Sequence, residues 1–185
     1  MIKDILKEEE AKMKKSVDAL KHDLTTIRTG RASPALIEQL PIDAYETTTP
    51  LVQLATISAP EPRLLTIRPF DASIMSNIEK AILKSDLGLT PGNDGKMIRL
   101  PIPALTEERR KEYVKRVHKR VEEARVAIRN LRHHALEDMK EMEKEKLISE
   151  DDHFRGKEQL QELTDKVIAL ADEVGKVKEA ELMAV

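Results

Sequence analysis

The stretch Val117-His118-Lys119-Arg120-Val121-Glu122-Glu123-Ala124-Arg125-Val126-Ala127-Ile128-Arg129-Asn130-Leu131-Arg132-His133-His134-Ala135 decides the fold. Its apolar residues Val117, Val121, Ala124, Ile128, Leu131 and Ala135 recur in alternating steps of four and three. That spacing is the seam of a helix packed lengthwise against others. Proline breaks helix interiors and none follows Pro103, so the helix extends outward from about Thr106 to about Leu147. Thr106 is placed to cap it, and Glu107 and Glu108 suit its positive first turn. At about 1.5 Å per residue it would be roughly 60 Å long.

Two further segments carry a matching seam. From about Ile2 to Arg28, Met13, Val17, Leu20, Leu24 and Ile27 keep the same alternation, and Arg28-Thr29-Gly30-Arg31 reads as the stop, with Gly30 as a left-handed C-cap. Near Ser149-Glu150-Asp151-Asp152 a third helix begins with the spacing of a capping box. Its expected seam is Leu160, Leu163, Val167, Leu170, Val174 and Val177, with Gly156 and Gly175 each weakening it by about 1 kcal/mol relative to Ala. Three such helices make an elongated antiparallel bundle.

Between the first helix and the second the period changes. All nine prolines lie from Pro34 to Pro103, and the flanking regions have none. Leu51 to Ile57, Leu64 to Ile67 and Met97 to Leu100 read as short strands, broken at Ala59-Pro60-Glu61-Pro62 and at Asn93-Asp94-Gly95. One helix interrupts them from about Ala72 to Ser85, with Ile74, Ile78 and Ile82 as its apolar face. The fold class is therefore α+β: a bundle from 1–30 and 104–185, with a small β/α/β domain inserted at 31–103. The two crossings, Arg28-Thr29-Gly30-Arg31 and Leu100-Pro101-Ile102-Pro103, would form a double hinge.

Composition narrows the function classes. Charged residues make up 36% of the 185 and aromatics 2%, a balance suited to long solvated helices rather than one broad core. With no Cys there is no disulfide, thiolate metal site or Cys nucleophile. No apolar run approaches the roughly 20 residues of a membrane span. The N-terminus passes quickly into Glu8-Glu9-Glu10, unlike a signal or transit peptide, and a cytoplasmic protein without membrane contact is expected.

Catalytic constellations are missing from the sequence pattern: no Gly-rich phosphate loop, no nucleophile elbow and no HExxH. His133 and His134 are neighbours that point about 100° apart on a helix, poorly placed to chelate one ion together. His22, His118 and His153 lie elsewhere, so neither a metal, a cofactor nor an enzyme activity is expected. The long helix offers something else. His118, Arg125, Arg129 and Arg132 fall within about 60° of one another on one flank of its seam. Between Thr106 and His134 ten Lys and Arg face five Glu, whereas the chain beyond is acidic. Arg129 and Arg132 have no acid three or four residues away, and Arg125 has only Glu122. A solvated face braced by close ion pairs and a surface for phosphate account for this row equally well. If it binds nucleic acid, the scarcity of aromatics points to structured RNA held by its backbone rather than to stacked single strands. Two other classes are weighed beside it: a co-chaperone-like bundle binding proteins along its charged face, and a hydrolase in the inserted domain.

Four stretches carry a resemblance: Ile27-Arg28-Thr29-Gly30-Arg31-Ala32-Ser33-Pro34, Ser85-Asp86-Leu87-Gly88-Leu89, Leu105-Thr106-Glu107-Glu108-Arg109-Arg110-Lys111 and Ala127-Ile128-Arg129-Asn130-Leu131-Arg132. In order and over the whole chain they resemble the bacterial ribosome recycling factor family. The resemblance implies an L shape like transfer RNA in outline, a monomer, and a helical arm that binds large-subunit ribosomal RNA after termination. It also implies subunit splitting with elongation factor G, which hydrolyses the GTP. By resemblance Arg110, Arg129 and Arg132 are RNA contacts and Arg28 and Arg31 lie at the hinge, while Arg125 is added from the stripe. The sequence departs from the family at His133, where a second Arg is frequent, and at Asp43-Ala44-Tyr45-Glu46-Thr47, where an aromatic pair followed by Gly is more usual.

Overall fold

A computed structural model describes residues 1–184 and divides them into two compact units, Met1–Arg28 with Glu107–Ala184, and Thr29–Thr106. Val185, the last residue of the expected bundle, lies outside the described residues. In chain order the helices are α1 (Ile2–Thr25), α2 (Met75–Lys84), α3 (Glu107–Lys144) and α4 (Glu150–Met183). The strands are β1 (Pro41–Ala44), β2 (Thr47–Pro50), β3 (Ala55–Glu61), β4 (Leu64–Pro69), β5 (Gly92–Asn93) and β6 (Ile98–Pro101).

The first unit is a three-helix bundle of α1, α3 and α4. Met13, Val17, Leu20 and Leu24 of α1 are buried, as are Val117, Val121, Ala124, Ile128, Ala135 and Met139 of α3. The expected α3 seam holds except at Leu131, which is half-buried. In α4 the seam is displaced. Its buried residues are Gly156, Leu160, Thr164, Val167, Ala171, Gly175 and Leu182, while Leu170 and Val177 face solvent, 44% and 51% exposed. Steps of four and three from Leu160 reach Thr164, Val167, Ala171 and Gly175, so the stripe runs through small residues that a count of large apolar ones overlooks. The glycines are close contacts rather than weak points. A Cβ at Gly175 would lie 2.6 Å from Val121 Cγ2, and one at Gly156 would lie 3.2 Å from Ile2 Cδ1 and 3.3 Å from Met139 Sδ.

Three helix ends have a local cause. α1 stops at Thr25, before the expected Arg28, because the hydroxyls of Thr25 and Thr26 donate to the carbonyls of His22 (2.6 Å) and Asp23 (2.7 Å). Gly30 has φ 79° but lies four residues past the cap residue Thr26, so it turns the connector and does not cap the helix. α4 starts with the expected capping box: Asp152 N donates to Ser149 Oγ at 3.0 Å and Ser149 N to Asp152 Oδ2 at 3.3 Å. The Ser149 side chain and then its backbone N–H hold the Asp152 carboxyl below its ordinary pKa.

α3 ends at Lys144, short of the expected Leu147, in a Schellman turn. Lys146 N donates to Glu143 O and Leu147 N to Met142 O, both at 2.9 Å, which places Lys146 at φ 61° where glycine is usual. The side chain of Lys146 is exposed and loses little by removal. Lys146→Gly is expected to stabilise the bundle by about 1 kcal/mol through relief of this left-handed conformation, measured by urea denaturation. A loss of stability would mean that the lysine side chain outweighs the backbone strain.

The second unit holds a two-stranded hairpin, β1-β2, and a four-stranded antiparallel sheet in the order β3-β4-β6-β5. The hairpin, unmarked by Asn-Gly or Asp-Gly, is absent from the sequence expectation. Ala44 pairs with Thr47, so its loop is Tyr45-Glu46 alone, at φ 52° and 64°. Both values are those of a type I′ turn, built here without glycine. The Tyr45 hydroxyl hydrogen-bonds Asp71, which also accepts from Ser73 N at 2.9 Å and starts the turn leading into α2.

Other differences in this unit follow from the edge of the sheet. Leu51–Gln53 forms a 3-10 turn with Leu51 buried, and the strand expected from Leu51 begins only at Ala55. Beyond the expected stop, β3 then continues through Pro60 to Glu61. An edge strand tolerates a residue with no N–H to donate, and the pairing with β4 is irregular between Ser58 and Glu61. The core joins Ile42 and Leu51, Leu65 and Ile67 of β4, Ile98 and Leu100 of β6, and the expected Ile74, Ile78 and Ile82.

Candidate nucleic-acid interface

The α3 flank that faces α4 carries the cationic stripe. One antiparallel register sets Met139 against Gly156 and Val121 against Gly175. The same register joins His118 with Glu179 and Arg125 with Asp172. His118 Nε2 lies 3.1 Å from Glu179 Oε2. Arg125 Nε donates to Asp172 Oδ1 at 2.7 Å, with Nη2 2.5 Å from the same oxygen, and Arg125 Nη1 donates to Glu122 Oε2 at 3.1 Å. Arg129 Nη1 reaches Glu122 Oε1 at 3.3 Å, and Arg132 Nη1 donates to Gln161 Oε1 at 3.0 Å.

These contacts correct the expectation of an unpaired row. Neighbours three or four residues away on α3 are not the only source of acids: Asp172 comes from α4, and Glu122 serves Arg129 from seven residues below. Asp172 first, then Glu122, raises the Arg125 guanidinium pKa above its ordinary value. The cations are nonetheless kept near the surface, with Arg125 34% and Arg129 48% exposed. Arg132 is half-buried, and its Nε is buried without a protein hydrogen bond.

Arg110 stands apart. It sits in the first turns of α3, roughly 22 Å along the axis from Arg125 at about 1.5 Å per residue. It too is half-buried, with its Nε buried and unbonded. The structure thus gathers Arg125, Arg129 and Arg132 on one flank near the middle of α3 and leaves Arg110 near its start. Glu122 is the partner of Arg125 that the sequence spacing offers, whereas its contact with Arg129 and the contributions of Asp172 and Gln161 are not legible there. Only the register of α3 on α4 reveals Asp172 and Gln161.

Like His118, three more of the five histidines lie beside acids. His133 Nε2 lies 3.3 Å and His134 Nδ1 3.8 Å from the two oxygens of Glu137, and His153 meets Glu143 across the turn between α3 and α4. Among the described residues no group of three or more His, Asp or Glu is placed to hold a metal ion, and no helix is long and apolar enough to cross a membrane.

At the crossings, Arg28, Thr29, Gly30 and Arg31 lie outside regular structure. Leu100 and Pro101 close β6, Leu100 is fully buried, and Ile102 N donates to Arg63 O at 2.8 Å. They belong to the small unit, whose last residues, Ile102 to Thr106, lead into α3 without regular structure.

Residues 20–183 match the family model described as "Ribosome recycling factor". The chain belongs to that family. Ribosome-recycling factors from Roseiflexus sp. (strain RS-1) and Chloroflexus aurantiacus are 57% and 56% identical to it over 185 residues, covering 100% of both sequences in each case. The ribosome-recycling factor of Carboxydothermus hydrogenoformans is 55% identical over the same length. Among solved structures, a solution structure of the ribosome recycling factor matches with a TM-score of 0.75 and 43% identity, covering 100% of this chain and 98% of that one. A chain from a structure of models for the T. thermophilus ribosome recycling factor and the E. coli elongation factor G bound to the E. coli post-termination complex matches with a TM-score of 0.64. It is 44% identical, with 98% of both chains covered. The α+β architecture, a long helical bundle with a small β domain, is that of ribosome recycling factors.

Proposed function

We propose that the chain is a non-enzymatic translation factor that binds the post-termination ribosome and, with elongation factor G and GTP, splits it into subunits. The observation that carries this is the full-length match to ribosome-recycling factors, one of which is structurally described with elongation factor G on a post-termination complex. The cationic flank of α3 supplies a physical means. Arg125, Arg129 and Arg132 hold RNA phosphates of the large subunit, and Arg110 adds a separate contact near the start of the helix. Guanidinium forks suit phosphate oxygens, and binding of this kind weakens with salt.

In this reading the bundle anchors and the inserted domain, residues 31–103, is the lever. The pivots are Arg28 to Arg31 and the stretch that follows Leu100-Pro101-Ile102-Pro103 into α3. GTP is hydrolysed by the partner, and the work takes place in the cytoplasm. The test is a splitting assay. Post-termination ribosomes with elongation factor G and GTP should separate into subunits, followed by light scattering, only when this protein is added. Equal splitting without it, or none with it, would overturn the proposal.

A further inference from the structure

We infer that Arg125 and Arg129 form a clamp for a single RNA backbone phosphate, and that Glu122 fills this clamp in the free protein as an internal substitute for the phosphate. The inference deepens the reading of α3 given above and rests on it.

The geometry carries it. The two oxygens of one carboxylate are shared between two guanidiniums: Glu122 Oε2 accepts from Arg125 Nη1 at 3.1 Å and Glu122 Oε1 from Arg129 Nη1 at 3.3 Å. Two donors converging on two oxygens of one anion is also what the non-bridging oxygens of a phosphodiester require. Arg125 does not depend on Glu122 for its position, because Asp172 grips its Nε and Nη2 edge from α4 and leaves Nη1 turned outward. Asp172 is therefore a positioning residue. Arg129 reaches back along α3 toward Glu122 over seven residues, about 10 Å of rise.

Charge and exposure make the occupant replaceable. Glu122 is 52% and Arg129 48% exposed, and ion pairs at such exposure are weak and screened by salt. The neighbouring acid Glu123 is engaged on another side, with Arg120 at 3.2 Å, and does not enter the clamp. With Glu122 and Asp172 in place the four groups sum to zero formal charge. With Glu122 displaced, the clamp is positive by one and faces the solvent. Each binding event must first move Glu122 aside, so the carboxylate lowers affinity and hides part of the counterion release that phosphate binding would otherwise show.

The experiment is co-sedimentation with vacant large ribosomal subunits across a salt titration, for wild type, Glu122→Gln, Glu123→Gln and Asp172→Asn. Glutamine keeps the size of Glu122 and removes its charge. Glu122→Gln should tighten binding about 3- to 10-fold at low salt and steepen the plot of log affinity against log salt by about one unit. Asp172→Asn should weaken binding, since Arg125 loses its positioning, and Glu123→Gln should change it less than 2-fold, roughly the effect of one remote exposed charge. Unchanged or weaker binding by Glu122→Gln overturns the clamp. So does an equal gain in Glu123→Gln, which would reduce the effect to net charge. The arginine double variant of the Discussion separates the two levels. If it loses binding while Glu122→Gln is inert, the RNA face stands and only the clamp falls; if neither responds, the assignment of this face falls as well.

Discussion

The Arg129→Ala/Arg132→Ala double variant is expected to bind vacant large ribosomal subunits about 100-fold more weakly at moderate salt. Charge-assisted hydrogen bonds contribute about 1.5–3 kcal/mol, and at an exposed, salt-screened surface the lower end applies, so two lost contacts cost about 3 kcal/mol, a factor slightly above 100. Its salt slope should also fall by about one unit for each contact removed. Folding should change far less. Arg129 makes an exposed pair with Glu122, and Arg132 makes one hydrogen bond to Gln161, so their loss should cost about 1 kcal/mol in total. A melting curve beside the binding titration distinguishes the two effects. Unaltered binding at every salt concentration would remove this flank from the RNA interface, and a collapse of the melting temperature would show that the arginines act through the bundle.

The largest stability effect is expected at Gly175. On helix propensity alone, replacing a mid-helix glycine raises stability by some tenths to about 1 kcal/mol. Here the outcome should reverse, because the new Cβ would sit 2.6 Å from Val121 Cγ2, a methyl on a β-branched side chain with little freedom to move. Gly175→Val should destabilise the bundle by about 3 kcal/mol, the upper range for overpacking a filled core. Shortening the opposing residue should restore part of this, so Gly175→Val/Val121→Ala should be more stable than Gly175→Val alone in urea denaturation. Gly156 is the control. Its nearest neighbours at 3.2 Å are atoms of Ile2, in the first turn of α1, so Gly156→Ala should be close to neutral. Equal effects at both glycines would mean that propensity, not contact, governs these sites.

The same glycines show what could be read from the sequence and what could not. The three long helices were legible because four-three spacing of Met13 to Leu24 and Val117 to Ala135 is strong over many turns. The capping box at Ser149 and Asp152 is a local signal and was found. The stripe of α4 was misread because burial there falls on Gly175, Ala171 and Thr164, residues chosen for closeness rather than hydrophobicity. Lys146 and the Tyr45-Glu46 turn adopt left-handed conformations without the glycine or asparagine that would announce them. The arginines of the candidate interface were visible as a stripe, since that needs only helical geometry. Glu122 was visible beside Arg125, but the partners on α4 were not. Asp172 is 47 residues from Arg125 in sequence, and only packing between helices brings them together.

One consequence of the inserted domain concerns the making of the protein itself. α1 is synthesised first, yet the surfaces that cover Met13, Val17, Leu20 and Leu24 belong to the bundle formed with α3 and α4, beyond residue 106. At about 5–20 residues per second, the stretch from Arg28 to Ala184 occupies roughly 8–30 s of synthesis. For that interval the nascent chain carries an uncovered apolar helix, while the small unit, contiguous from Thr29 to Thr106, can fold as soon as it emerges. The hairpin of α3 and α4 is local and closes through a short turn, whereas α1, the first helix to be made, packs against partners that are made last.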